Sequence, residues 1–495
     1  MVFFRKIILV LMVLMAVQGV VAQDTVLVTL PDAIARARGR SVDAAVAINR
    51  LRSAYWQYRT YRAELLPEVN FEAKIPGYYK QYSSYQNADG TYSFVRNNYL
   101  NMSGELAVSQ KLWFSGGEIS LNTSLDFIRQ LSDNKDNRFM AIPIALTLRQ
   151  PIFGVNTVKW DRRIEPERYA EAVAQFMSET EEVAMSTISQ FFSLLMAQEN
   201  VDIARQNLAN DEKLYEVARE KRAMGRISEN DLLQMELNVL DSRSSLTSRE
   251  SDLKSAMFRL RSFLDYDENV EIVPILPGDV PDVDIVYADA LDRALANNKF
   301  AKSVRRRQLE ADYAVAQAKG QLRQIDLFAQ VGYTGTGQRF RNAYDPLKDN
   351  QVVEIGFSIP IVDWGKRRGK VKVAQSNREL VESQLRQETQ NFNQDLFILV
   401  ERFNNQRLQL DIAERADTIA QQRYDTNVET FMIGKISTLD LNDSQSKKDL
   451  SRQALVNELY MYWYYYYQIR SITLWNYAAG TGIDADIEAA IGERF

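Results

Sequence analysis

The chain has 495 residues, 46% hydrophobic and 25% charged, so it carries ample apolar material for a folded structure, and length alone is that of about two to four domains. Sixty Lys and Arg scattered among 65 Asp and Glu leave a net charge of -5, which excludes the basic stripe that neutralises phosphates, and nucleic acid is not an expected partner. Cys and His are both absent, removing disulfides, thiolate nucleophiles, imidazole bases and Cys/His zinc sites. With no Gly-rich phosphate loop, nucleophile elbow or metal-spaced acidic cluster either, the expectation is no enzyme, no catalytic residue, no metal and no cofactor.

The N-terminus reads as an address. MVFFRK supplies a positive n-region, Ile7–Val21 an apolar run, and VVAQ a small-residue context that places cleavage after Ala22. The apolar run has about fifteen residues, fewer than the ~20 that span a bilayer, so a removed signal peptide over 1–22 is preferred to a membrane anchor. No cysteine follows the cut to be acylated on a thiol. No later segment is apolar over about eighteen residues, so any further membrane span must be a β-barrel, which satisfies its backbone internally.

A first repeat is expected over 23–269. It opens with a helix at LPDAIARA (Leu30–Ala37) and continues with strands over about 68–150. In VNFEAKI, Val69, Phe71, Ala73 and Ile75 share one face and Asn70, Glu72 and Lys74 the other. ELAVSQKLWF (Glu105–Phe114), EISLNTSL (Glu118–Leu125) and IPIALTL (Ile142–Leu148) alternate likewise. From Glu167 to Arg222 the chain has neither proline nor glycine, which as one helix would reach ~84 Å at ~1.5 Å per residue. A helix of that length needs a partner along it. RAMGRISENDL (Arg222–Leu232) interrupts it at Gly225, where tolerance of φ > 0 lets the chain reverse into a second helix running back antiparallel. The helical hairpin is thus expected over about 166–264 with its tip near 225. VEIVPILPGDVPDVDIV (270–286), with three prolines and a glycine, reads as a linker.

The second repeat, 287–475, restates the first. YADALDRA (Tyr287–Ala294) parallels LPDAIARA, and strands LFAQVGY (Leu327–Tyr333) and VEIGFSIPI (Val353–Ile361) lie within about 325–363. A helical hairpin over about 367–475 then turns near 434 at FMIGKISTLDL (Phe431–Leu441). At an offset of 209, Gly225 matches Gly434, Ile227 matches Ile436, Ser228 matches Ser437, Asp231 matches Asp440, and Phe191 and Leu194 match Val400 and Phe403. Upstream the offset is 256 to 257, so the first half holds about 47 extra residues. The seam Leu385, Phe392, Leu396, Leu399, Phe403, Leu410 steps near every 3.5 residues, a coiled-coil spacing. The aromatic run Leu459–Trp475 ends the last long helix and reads as tight interhelix packing rather than a membrane-interface belt; a tail, 476–495, follows. Strand alternation alone fits a soluble sandwich as well as a barrel; the signal peptide and the missing transmembrane helix favour the barrel.

The duplicated layout, the strand-to-helix passages QPIFGVNTVKW (Gln150–Trp160) and IPIVDWGKRRGKV (Ile359–Val371), and the paired G-x-[IVL]-x-x-x-D turns resemble the TolC family of outer membrane channel proteins over nearly all the mature chain. The resemblance implies an α+β membrane protein: a trimeric outer-membrane β-barrel, continued by a long α-helical coiled-coil barrel across the periplasm, internally duplicated. It implies a homotrimer set in outer membrane lipid, a periplasmic adaptor (membrane fusion protein) and an inner-membrane pump of RND or ABC type. Substrates would pass passively through it in efflux or type I secretion.

By the same resemblance the hairpin tips meet the adaptor at Gly225, Arg226, Ile227, Gly434, Lys435 and Ile436, though each glycine also serves simply to turn the chain. A periplasmic gate falls on Asp440 and Asp443, at i and i+3 on one helical face, with Asp231 the first-half counterpart of Asp440, where a tie between neighbouring hairpins is the other role; solvated surface aspartates are the plain alternative. Three such carboxylates ~7 Å apart at an effective dielectric near 20 would repel pairwise by on the order of 2 kcal/mol, favouring cation binding and raised pKa values. The chain departs from the family in two ways. Ile436 between Lys435 and Ser437 offers no charged tie, and six strands are expected where the family commonly contributes four, with the surplus near Ser115–Ser120. A wider barrel and a hairpin projecting outside the membrane both fit. A second function stays open beside the channel: an exported trimeric coiled-coil scaffold or adhesin without a pore.

Overall fold

The structure is a computed structural model and describes residues 24–131, 136–278, 280–322, 324–358, 362–433, 435–483 and 487–492. The expected signal 1–22, the tip glycine Gly434 and part of the Ile359–Val371 passage lie outside the described residues.

In chain order, β1 (Asp24–Val28) leads into α1 (Leu30–Arg40) and α2 (Val42–Ala63). Four strands follow, β2 (Glu68–Gln86), β3 (Tyr92–Lys111), β4 (Glu118–Gln130) and β5 (Asn137–Pro151). The first helical pair is α3 (Thr157–Ala223) and α4 (Glu229–Phe263), after which come β6 (Val270–Pro274), α5 (Tyr287–Asn297) and α6 (Lys299–Gly320). Strands β7 (Gln324–Gly337) and β8 (Lys348–Ser358) precede the second pair, α7 (Lys366–Met432) and α8 (Thr438–Thr473). A two-residue strand pair, β9 (Trp475–Asn476) with β10 (Thr481–Gly482), and α9 (Ile487–Ile491) complete it. Helices α3 and α7 are both 67 residues long.

Two boundaries differ from the sequence expectation. Helix α3 starts at Thr157 rather than near 166 and runs through Pro166, whose missing N–H forfeits one helical bond. Side-chain contacts on both sides hold the helix across that gap: Trp160 packs on Tyr313 at 5.7 Å and Arg168 reaches Glu165 and Glu310 at 2.6 and 2.8 Å. The start of the expected linker is strand β6, paired in parallel with β1 from Asp24↔Val270 to Val28↔Pro274. Proline suits that last position because a strand end needs no further donor.

The chain divides into two compact units. One, Arg52–Ala172 with Phe300–Gln390, holds a single antiparallel sheet in the order β2-β3-β4-β5-β7-β8. The six expected strand segments each fall largely on their own strand of it. Register aligns Val69 and Phe71 with Leu106, Leu121, Leu146, Val331, Val353 and Ile355 on one face. These side chains are 41 to 73% exposed. The other face carries Asn70, Glu72, Glu105, Ser120, Asn122, Gln330 and Glu354. Among the described residues the remaining sheets are two-stranded pairs, so no second sheet covers the apolar face as a sandwich would require. Helical segments of this unit are joined by ions and rings: Arg306 pairs Glu171 at 2.6 Å and Glu310 at 2.7 Å, Arg307 pairs Glu388, and Tyr58 stacks on Tyr169 at 4.9 Å.

The other unit, Met1–Leu51, Val173–Lys299 and Asn391–Phe495, holds the helical hairpins. Its core is the coiled-coil seam read from the sequence. Phe176, Val183, Phe191, Leu194 and Val201 of α3 and Leu396, Leu399, Val400, Phe403 and Leu410 of α7 are all buried. The aromatic run of α8 packs inward, with Tyr462 and Tyr466 buried against Phe403. Glu181 is fully buried and held by Arg38 at 2.5 Å and Arg470 at 3.0 Å. A lone carboxylate there would be costly, so the two guanidiniums are what make its burial tolerable and what bind α1 and α8 to α3.

Candidate functional site

The hairpin tips show why one short motif occurs twice. At the first, Gly225 takes φ +70. Its N–H donates to Arg222 O at 2.9 Å while Arg226 N donates to Lys221 O at 2.9 Å, closing a Schellman cap on α3. Ser228 then caps α4: its Oγ accepts from Asp231 N at 3.1 Å, and Asp231 Oδ2 accepts from Ser228 N at 3.1 Å, a capping box. Ile227 before the cap and Leu232 after it join one apolar cluster, a hydrophobic staple.

The second tip uses the same parts. Lys435 N donates to Thr430 O at 3.1 Å, the same span as Arg226 to Lys221. Ser437 and Asp440 form the second capping box at 3.2 and 3.3 Å, and Ile436 and Leu441 stand where Ile227 and Leu232 do. The motif is therefore a helix exit and re-entry code: a glycine to reverse, a hydrophobe to pin, a serine to cap and an aspartate to answer. The S-x-x-D spacing that reveals the box is present in the sequence at Ser228–Asp231 and Ser437–Asp440.

These bonds define the carboxylates. Asp440 is solvent-exposed, and the Ser437 hydroxyl, then the Ser437 backbone N–H, hold its carboxyl below the ordinary carboxylate range, with Arg423 adding a smaller pull. Within one protomer the shift thus runs opposite to that expected of an assembled ring. Asp443 lies on the same helical face, as the spacing expected, and accepts from Arg423 at 2.7 Å. That ion pair, within the second hairpin, was not foreseen. Asp231 sits apart on α4, engaged in its own box.

Between the two tips lies a groove of about 570 Å³. Arg226, Ile227, Asp231 and Met235 line it from the first hairpin, and Phe431, Met432, Ile433, Ile436 and Ser437 from the second. Lys221 bridges the hairpins, donating to Phe431 O at 3.1 Å with its ammonium 4.9 Å from the Phe431 ring. Of the predicted tip residues, Arg226, Ile227 and Ile436 converge on this groove, Gly225 and Lys435 form the turns beside it, and Gly434 is outside the described residues.

Farther from the tips a polar belt joins the hairpins. Asn207 donates to Asp449 at 2.6 Å, Asn210 to Tyr424 Oη at 3.1 Å, and Arg452 reaches Glu199 at 3.0 Å. The Lys448 side chain is almost fully buried, with Asp449 at 3.3 Å and the Tyr424 ring at 4.5 Å. Burial pushes Tyr424 up to about 12 and raises the Asp211 carboxyl despite a hydrogen bond from Ser242. Nothing in the periodicity marked Lys448 as buried, because Tyr424 and Asn207, which it meets, come from two other helices.

With this geometry in view, the family model for outer membrane efflux proteins matches residues 33–264 and 290–470. The alkaline protease secretion protein AprF of Pseudomonas aeruginosa is 21% identical over 263 residues, 50% of this chain and 51% of that protein. The chain thus matches about half the length of that curated relative. The CmeC outer membrane channel of Campylobacter jejuni superposes with a TM-score of 0.66 at 16% identity, over 94% of this chain and 88% of that one. The outer membrane protein VceC of Vibrio cholerae gives 0.62 at 15%, over 92% and 97%. At such identities the structural likeness speaks for a shared fold. The two matched segments take in most of both halves, hairpins and sheet alike, and the chain belongs to the outer membrane efflux protein family.

Proposed function

We propose that the chain, as a homotrimer, is the outer membrane channel of a tripartite efflux or type I secretion system, conducting substrates passively from a periplasmic adaptor and an RND or ABC pump to the exterior. The observation that carries this reading is the six-stranded sheet with one continuous, uncovered apolar face and one polar face. Lipid is the medium that covers such a face without a second protein layer, and water in a lumen suits the other. The family match and the channel and secretion proteins to which the chain is similar support the same reading.

The tips Gly225, Arg226, Ile227, Gly434, Lys435 and Ile436 would receive the adaptor, because they lie where the hairpins reverse and the groove between them is partly apolar. Asp440 and Asp443, with Asp231, would form the gate. Asp440 brings a charge that stays ionised at neutral pH, and Asp443 one that Arg423 half-compensates. The test is extraction in detergent followed by planar-bilayer recording. A trimer that conducts in discrete steps, with conductance or cation block altered by Asp440→Ala and Asp443→Ala, is the expected result. A monomeric, water-soluble protein overturns the reading, and intact trimers that stay silent favour a scaffold instead.

A further inference from the structure

Building on the trimeric channel reading, we propose that the surplus hairpin β2–β3 is part of the barrel wall: the β2 edge of one copy pairs with the β8 edge of the next, and three six-stranded sheets close an eighteen-stranded barrel. The alternative wall uses only β4, β5, β7 and β8, closing β4 against the neighbour's β8 and leaving the β2–β3 hairpin outside.

The joint between β3 and β4 decides between them. It runs from Tyr99↔Gln130 to Lys111↔Glu118 with no register break, whereas β4–β5 and β5–β7 each carry one. A four-stranded wall would have to open that unbroken joint to hand β4 to the neighbour's β8, and the donors and acceptors of β3 so released would be left without strand partners. The root of the hairpin is tied as well. Leu112 N donates to Gly117 O and Gly116 N to Leu112 O, both at 2.7 Å, while Gln150 and Asn156 side chains donate to Ser115 O and Trp113 O at 3.1 and 3.0 Å. Gly116 has φ +75, and a Cβ on Gly117 would stand 2.8 Å from Arg149 O, so this turn closes directly onto β5.

Surface chemistry agrees. Val69, Phe71, Leu106 and Val108 prolong the apolar face of β4–β8 onto the surplus strands, in register with Leu121 and Thr123. A hairpin meant for water has no reason to present that face, and a wall strand does. Strand direction also fits. The strands alternate along the sheet, so β2 and β8 run in opposite senses, and a neighbour's β8 meets β2 antiparallel, continuing the pattern to an even total. Among the described residues both are edge strands whose outer backbone groups have no strand partner, a template that closure uses up.

Lengths locate the contact. β8 has 11 residues and β2 has 19, so closure engages the lower part of β2. Above Asn98, β2 and β3 pair only with each other and form an arm whose outward face shows Tyr82, Tyr92 and Phe94. With strands ~4.8 Å apart and tilted ~40°, eighteen give a backbone diameter of ~36 Å against ~24 Å for twelve.

The chain has no cysteine, so introduced thiols report alone. Val69→Cys, Phe71→Cys or Ala73→Cys on β2 is combined with Val353→Cys, Ile355→Cys or Phe357→Cys on β8. A matched set places Ile119→Cys, Leu121→Cys or Thr123→Cys on β4 with the same β8 partners. Full-length protein in outer membranes is treated with a short bismaleimide and resolved under denaturing conditions. At least one β2–β8 combination should move the single-chain band to two- and three-chain mass, while the β4–β8 set stays single. Links from β4–β8 and none from β2–β8 would overturn the wider barrel and leave the trimer standing. No interchain link from either set, with a single-chain particle in detergent, removes the trimeric reading itself. Direct strand counting by electron cryomicroscopy of the unsubstituted protein is independent of how the variants fold: eighteen upholds the proposal and twelve ends it.

Discussion

The two hairpin tips share a turning code and differ in what they display. Arg226 and Lys435 close their turns in the same way, and Ser228–Asp231 and Ser437–Asp440 both box the returning helices. Yet position 222 is an exposed arginine where its counterpart, Phe431, is buried, and Gln234 stands where the second tip has Asp443. The second tip is therefore the more deeply anchored and the more acidic. Shared residues set the shape of each end, and the divergent ones set what each end leans on and which charge it offers.

The largest effect should fall on anchoring. Leu441 is fully buried while Leu232 is only partly so. Leu441→Ala should destabilise the second tip by about 2–5 kcal/mol and Leu232→Ala by clearly less, read as amide exchange at each tip. Equal losses would break the asymmetry. Next comes the turn itself: Gly225→Val keeps open space around its Cβ but must hold φ +70, costing about 1–2 kcal/mol through backbone strain alone. A loss well beyond that would mean that the space is filled in the assembly.

Caps sharpen the comparison from the other side. Ser228→Ala and Ser437→Ala should each cost about 1 kcal/mol, nearly the same, since the boxes match. Acid should act on the second box through Asp440. Its carboxyl is held below the ordinary value of 3.8, so its contribution to the tip is whole above that pH and is lost as pH falls from there through the lowered value. Exchange protection at the second tip should track this, and Asp440→Asn should abolish that dependence. The smallest effect belongs to Arg423→Ala, which breaks a half-exposed pair worth about 0–1 kcal/mol yet frees the Asp443 charge. Stability should barely move while cation block of the channel deepens; an unchanged block would take Asp443 out of the conduction path.

Much of this was legible beforehand. Strand periodicity and the glycine-marked reversals are local signals, and Leu396, Leu399, Phe403 and Leu410 lie buried where a 3.5-residue seam put them. Pro166 misled, because a proline forfeits one helical bond and long-range pairs such as Arg306 with Glu171 make that tolerable. Asp440 was legible as an acid but not as half of a box, since its charge drew more notice than its spacing to Ser437. The Arg423–Asp443 pair and the burial of Lys448 depend on which helices become neighbours, and no pattern within one helix encodes that.

The parallel pairing of β1 with β6 carries a consequence for timing. Asp24 precedes its partner Val270 by about half the chain. A chain delivered from its N-terminus must leave that segment waiting until both helices of the first pair have been made, and the loop then drawn shut is among the longest available. Maturation therefore cannot proceed as a simple front-to-back procession, and the opening residues are among the last to settle.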